Sequence, residues 1–268
     1  MKGNKSFIRL IKSDIVEGII KRWYCFLIPV LVGLIVSVDY LKNISYGFSL
    51  DIKDITFMDY CANMFLGVEK YNSNDIFSFP IFFITYILVL FILFSVYPFN
   101  DFQERAKVIF IRTQKRSTWW YSKCIWNICS VLLYMAILYA TVYAFSIITG
   151  NTYMDFNYFL AHAEISLSSR IMQLIVVPTA TTIALCLAQM VISIETSPIY
   201  GVMAQIIQIV ISVFFLTPVL PANFYMYKRS GFFYSEGISI ETELVVCAMI
   251  SIIAVIAGRI IVEKKDIL

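Results

Sequence analysis

The stretch NDFQERAKVIFIRTQKRSTWWYSK, residues 100–123, is a short basic segment between two long apolar runs. The runs on either side, 79–99 and 124–149, are each long enough to cross a bilayer as a helix, which takes about 20 residues. The positive-inside rule places a short basic loop between two such helices on the cytoplasmic side of a membrane. Its cations are Arg105, Lys107, Arg112, Lys115, Arg116 and Lys123.

The composition is that of a membrane protein. Sixty per cent of the residues are apolar and the mean hydropathy is +0.79, whereas soluble domains are about 45–50% apolar. Six runs approach the length of a membrane-crossing helix, at residues 24–41, 79–99, 124–149, 171–194, 198–220 and 244–262. Between the fourth and fifth runs, Ser197 is expected to cap a helix that Pro198 begins.

The sequence therefore predicts an all-α polytopic membrane protein with six transmembrane helices. One domain is expected over residues 1–268, because no linker separates a second one. It divides into an N-terminal interfacial helix at 1–23, a six-helix membrane domain at 24–262 and a cytoplasmic tail at 263–268.

The basic residues predict the orientation. With the N-terminus inside, fifteen of the twenty-one Lys and Arg residues lie on the cytoplasmic side, as the positive-inside rule requires. Both termini are then cytoplasmic, and Trp23, Trp119 and Trp120 fall at the inner interface, where tryptophan is enriched. The net charge of +3 reflects this topology, so nucleic-acid binding is not needed to explain it.

The N-terminal segment has an apolar stripe at helical spacing, formed by Ile8, Ile11, Ile15 and Ile19. Two interpretations stay open. The segment is either an interfacial helix along the inner leaflet or a solvated basic helix that only obeys the charge rule.

Catalytic and nucleotide-binding motifs are absent from the sequence. There is no G-x-x-x-x-G-K-[ST] phosphate loop and no H-E-x-x-H motif. The one histidine, His162, lies in a predicted outer loop, where a surface role is the ordinary one, and no set of zinc ligands accompanies it. The chain is therefore expected not to be an enzyme and to hold no cofactor or metal of its own.

Charged residues in the spans are expected only near the span ends, as for Asp39, Glu243 and Arg259. Ion-coupled transporters usually carry carboxylates or histidines deep in the membrane. With none expected here, uphill transport would need energy from a separate ATPase.

The layout resembles the permease subunit of an ABC-2 type ABC transporter. The loop after the second span resembles that family's pattern of an acidic residue, then Arg, a further basic residue, aromatics and Lys, here Glu104, Arg112, Arg116, Trp119-Trp120 and Lys123. The ending, 262–267, resembles the family's basic pair and Asp after the sixth span. The resemblance covers the whole chain in layout.

The resemblance implies a cytoplasmic coupling helix between spans two and three that docks on a separate ATPase, which binds the ATP and Mg. It also implies a second permease copy, as a homodimer or heterodimer, in the bacterial cytoplasmic membrane. The alternative for the loop is that its cations only fix topology and bind anionic headgroups. The residues expected to couple to the ATPase are Glu104, Arg105, Arg112, Arg116, Trp119 and Lys123.

Few polar residues interrupt the spans. The glutamines Gln173, Gln189, Gln205 and Gln208 line a substrate path or hold helices together, and the second role is the commoner one. The outer segment 221–242 is rich in aromatics, which suits either a re-entrant segment or an interfacial belt. An apolar, aromatic path suits an amphipathic or hydrophobic substrate, with a peptide preferred.

The sequence thus leaves three functions open. The first is the membrane subunit of an ATP-driven exporter. The second is an immunity permease that removes a bacteriocin or lantibiotic from the cell's own membrane. The third is a membrane sensor or assembly protein that transports nothing.

Overall fold

The computed structural model describes residues 2–47, 55–71, 81–106, 110, 116–149, 152, 154, 166–233 and 236–265. Within these ranges the chain is helical and forms no β-strand, which confirms the all-α prediction. Among the described residues, five helical segments are long and apolar enough to cross a membrane, as expected of a polytopic membrane protein: Trp23–Asn43, Ile87–Glu104, Arg116–Thr149, Leu167–Glu195 and Ile240–Lys264.

In the described part of the chain there are nine α-helices. They are α1 (Lys2–Ile15), α2 (Ile28–Gly47), α3 (Phe57–Met64), α4 (Ile81–Glu104), α5 (Arg116–Thr149), α6 (Leu167–Ile171), α7 (Val177–Glu195), α8 (Pro198–Phe214) and α9 (Ile240–Lys264). A π-helical turn, Met172–Val176, joins α6 to α7, and a second one, Val16–Ile20, follows α1.

The fifth predicted span is shorter than expected. α8 has 17 residues, or about 25 Å at 1.5 Å per residue, whereas the bilayer core is about 30 Å thick. The helix ends at Phe214, because continuing it would bring the ring of Pro218 against the carbonyl of Phe214, four residues earlier. Ser197 occupies the N-cap position and Pro198 begins the helix as predicted, but the Ser197 side chain makes no capping hydrogen bond. The six-span topology stays a prediction.

α5 begins earlier than the sequence indicates. Its 34 residues extend about 50 Å, so it is longer than a bilayer core. Residues 116–123, predicted as loop, are its first two turns. The coupling helix was predicted between spans two and three, and of that segment residues 107–109 and 111–115 lie outside the described residues.

α7 is the central helix of the bundle. It packs against α4, α5, α8 and α9. In the most apolar stretch of Leu167–Glu195, which contains α7, 56% is buried inside the protein, compared with 22% in that of α9. α9 approaches α5 closely because Gly258 leaves room for the Trp120 ring, where any side-chain carbon would overlap it. The Trp120 indole Nε1 fixes this contact by donating to the Val255 carbonyl at 2.8 Å.

α1 is packed on the bundle along α5. Of the predicted apolar stripe, Ile8 is exposed, whereas Ile11, Ile15 and Ile19 are half-buried and Ile19 packs against the main apolar core. The N-terminal segment is therefore helical as predicted. It packs against other helices of the same chain, a contact that neither interpretation included.

Candidate functional site: a buried ion cluster

Three charged residues meet where α4 ends and α5 begins, which we call the loop end of the bundle. The Lys123 ammonium lies 2.5 Å from Asp14 Oδ1 and 2.7 Å from Asp101 Oδ2. Lys123 is fully buried, and the two aspartates are each 6% exposed. This ion cluster, Asp14, Asp101 and Lys123, joins α1, α4 and α5.

Local structure explains how Lys123 reaches both carboxylates. Trp119 and Lys123 are one turn apart on α5, so their side chains lie on one face of that helix. Asp101 lies in the last turn of α4 and accepts a hydrogen bond from Trp119 Nε1 at 2.8 Å. The aromatic rings of Tyr97 and Trp119 flank the ammonium, with centroids 4.6 and 5.4 Å from Nζ, which adds cation–π attraction.

Both oxygens of Asp14 have hydrogen-bond donors. The Tyr97 hydroxyl donates to Oδ1 at 3.1 Å and the Ser122 hydroxyl donates to Oδ2. A buried carboxylate that is paired and hydrogen-bonded avoids most of the desolvation penalty. The cluster therefore fastens α1 to the bundle.

Exposed charges surround the cluster on its solvent side. Arg105 lies 3.3 Å from Glu17 and 3.9 Å from Asp101, and Lys21 lies 2.7 Å from Glu17. The hydrogen bond from Lys21, followed by the charge of Arg105, lowers the pKa of Glu17. Because these groups are partly exposed, breaking their pairs should cost much less stability than removing one partner from the buried cluster.

Two further cations tie other helices together at the loop end. The Arg116 guanidinium donates to the carbonyls of Glu263 and Lys265 at 3.2 and 2.8 Å. Lys265 Nζ in turn donates to the carbonyls of Ile194 and Glu195 at 2.6 and 2.7 Å. The last carbonyls of a helix lack intrahelical donors, so these cations cap α9 and α7.

The predicted coupling residues separate into two groups. Glu104 and Arg105 are exposed, Arg116 is half-buried, and Arg112 lies outside the described residues. Trp119 and Lys123 are buried at 1% and 0% exposure. The prediction of a direct ATPase contact is revised for these two, because the interior of the bundle encloses their side chains.

Two of the four predicted path glutamines make hydrogen bonds between helices. Gln173 Nε2 donates to Glu243 at 3.1 Å and Gln189 Nε2 donates to the Phe91 carbonyl at 2.8 Å, each joining two helices. Gln205 is 2% exposed and Gln208 is half-buried. This placement favours the helix-holding role over a path within one subunit.

The charged residues of the spans lie near the span ends as expected, but several of them are buried inside the bundle. Besides the ion cluster, Glu243 and Arg229 are each only 1% exposed. The physical reason is pairing: the fold supplies each buried charge with a partner that the sequence does not reveal. The argument that a lack of buried charge excludes ion coupling therefore no longer holds.

Arg229 fastens the opposite end of the bundle. Its guanidinium donates to the carbonyls of Ser212 and Val213 at the end of α8, and also to Val68 and Glu69 at 3.0 and 3.2 Å. Burial lowers the pKa of Arg229 to about 10, so the group stays charged at neutral pH.

The aromatic segment that the sequence predicts to be outer folds around this arginine. It forms two 3₁₀ turns, Pro221–Tyr225 and Tyr227–Arg229, and every residue from 221 to 227 is buried. The segment packs against α7 and α8. A belt facing lipid does not fit this burial, whereas a segment inserted into the bundle does.

The fold and the ion cluster are those of a polytopic α-helical membrane protein whose loop end is fastened by buried charge. More specifically, the chain belongs to a family described as "Protein of unknown function (DUF2705)", whose model matches residues 26–268. The match leaves out α1, and with it Asp14. No curated protein and no solved structure gives a significant match to the chain.

Proposed function

We propose that the chain is the membrane-spanning subunit of an ATP-driven exporter of the ABC-2 type. In this proposal a separate ATPase binds ATP and Mg and docks at the loop end, on the cytoplasmic side of a bacterial membrane. The substrate is amphipathic or hydrophobic, with a peptide preferred.

The observation that carries the proposal is the set of ties at the loop end. Lys123 joins α5 to α1 and α4, Arg116 joins α5 to the end of α9, and Lys265 joins α9 to the end of α7. A displacement of the loop between α4 and α5 would therefore reach five helices at once. An exporter driven by a soluble ATPase needs such a connection between its docking surface and its membrane helices.

The revised roles of the loop residues follow from their positions. Glu104 and Arg105 are exposed at the end of α4, and with Arg112 they are the proposed contacts to the ATPase. Trp119 and Lys123 transmit the movement from inside the bundle. Arg116 serves both roles, because it is half-buried and holds the C-terminal carbonyls.

The interior of the subunit supports a path between two copies rather than through one. α7, α4 and α5 form a packed core, and two of the path glutamines are used in helix contacts. By contrast, α2 and α9 are the least buried of the long apolar segments, at 28% and 22%, and each exposes several large apolar side chains. A homodimer in the bilayer, with the substrate moving between copies, suits this distribution.

Charge reversal at the loop tests the docking surface. Glu104→Lys combined with Arg112→Glu is expected to reduce ATP hydrolysis by the complex at least about tenfold, as a loss of 1.4 kcal/mol or more in coupling implies. The complex is purified with its ATPase by a tag on this chain, and its hydrolysis is measured with and without an amphipathic helical peptide.

The matched control is Arg9→Glu, which reverses an exposed charge on α1 instead of one in the loop and should leave hydrolysis unchanged. Assembly and normal hydrolysis by the loop variant would remove the docking assignment. The absence of any ATPase from the purified chain would favour the sensor or assembly role instead.

A further inference from the structure

Four polar residues form a buried stripe along α5: Lys123, Asn127, Ser130 and Tyr134. With 3.6 residues per turn they fall within an arc of about 60° on the helix. Each is 2% exposed or less. The stripe starts at the ion cluster and ends at a cavity of about 20 Å³.

Three of the four stripe residues have side-chain atoms without a hydrogen-bond partner in the part of the chain that the structure describes. Both amide atoms of Asn127 and the hydroxyls of Ser130 and Tyr134 are buried without one. Gln189 Oε1 is a further unpartnered atom, and its amide nitrogen is held on α4 by the carbonyl of Phe91. Buried polar groups are almost always paired with protein or ordered water, so this concentration indicates a missing ligand.

The spacing of the stripe matches water. At 1.5 Å per residue the successive side chains are separated along the axis by about 6, 4.5 and 6 Å. Two hydrogen bonds of about 2.8 Å through one water cover nearly this distance.

The cavity at the end of the stripe can also hold water. Its volume is enough for one water, and Tyr134, Thr182 and Tyr225 line it. The hydroxyls of Thr182 and Tyr225 already lie 2.8 Å apart there, so a water in the cavity would have several polar partners.

We propose that the stripe is a binding site for a file of water molecules that connects the ion cluster with the cavity at Tyr134. The file gives Lys123, which is closed off from outside solvent, a route to water through the interior of the bundle. It also supplies the partners that Asn127 and Ser130 lack. This inference does not depend on the export proposal.

The direction in which the Tm changes when the stripe is made apolar tests the water file. Asn127→Leu keeps the size of the side chain but removes its polar atoms. If the stripe is hydrated, this variant strips the file of its contacts and lowers the Tm by several degrees. If the stripe is dry, the variant removes an unpaired amide and raises the Tm. Ser130→Ala is a smaller substitution for which the same fall in Tm is expected. A rise in Tm in both variants would overturn the proposal.

Access of a small ion provides a second measurement that does not depend on stability. Ser130→Cys and Val131→Cys place a thiol at adjacent positions that are both fully buried. Ag⁺, which fits narrow hydrated paths, should protect the cysteine at 130 from later alkylation in denaturant while leaving the one at 131 unprotected. Equal protection at both positions would contradict the file.

Discussion

Replacing Lys123 with Met is expected to destabilise the protein by about 3–5 kcal/mol, as removal of one partner from a buried ion pair does. Asp14 and Asp101 would stay buried without the cation that they share. In thermal unfolding of the detergent-solubilised protein, the Tm should fall by roughly 10 °C.

Two control variants distinguish the effect of breaking the buried ion pairs from the effect of removing any cation. Lys21→Met removes a cation whose side chain is 62% exposed and which pairs with Glu17, so the loss should stay below about 1 kcal/mol. The triple variant, which combines Lys123→Met with Asp14→Asn and Asp101→Asn, should regain most of the stability that Lys123→Met loses. Equal Tm values for the Lys123 and Lys21 variants would show that the ion cluster does not fasten α1.

Replacing Arg229 with Met is expected to destabilise the opposite end by about 3–5 kcal/mol, since each buried carbonyl left without a donor costs about 1–3 kcal/mol. The carbonyls of Ser212 and Val213 would lose their donor at the end of α8. Arg229→Lys should recover only part of the loss, because an ammonium lacks the planar fork of the guanidinium. The measurement is again the Tm in detergent.

Lys228 is the neighbouring control for this prediction. It pairs with Glu69, whose side chain is 65% exposed, so Lys228→Met should change the stability by less than about 1 kcal/mol. If the Lys228 and Arg229 variants unfold at the same temperature, the buried guanidinium does not hold the outer segment on α8.

The membrane helices could be predicted from the sequence because the bilayer imposes the strongest constraint on the chain. A backbone in lipid must satisfy its own hydrogen bonds, so a long apolar run becomes a helix. The ends of the helices were less predictable. α5 starts at Arg116, inside a basic stretch, because its first turns are stabilised by burying Trp119 and Trp120 in the bundle. α8 stops at Phe214 although the apolar run continues past it.

The ion cluster was not predicted because pairing over a long distance leaves no local pattern. Asp14 and Lys123 are 109 residues apart, and the loop pattern placed Lys123 among the residues expected to contact the ATPase. The available signals were an acidic residue within a segment that carries six cations, and the spacing of Lys123, Asn127, Ser130 and Tyr134 along one face of an apolar helix. Neither signal identifies a partner, because the same residues on a solvated face would look alike.

Export driven by ATP is the central proposal, and the buried charges make its energy source the decisive question. The most direct measurement follows release of an amphipathic helical peptide from cells that carry this chain and its ATPase. We expect release to stop when the phosphate-loop Lys of the ATPase is replaced, and to continue when a protonophore collapses the proton gradient while ATP is maintained. Release that survives loss of ATP hydrolysis but stops with the protonophore would contradict the proposal and assign the coupling to the buried charges of this chain.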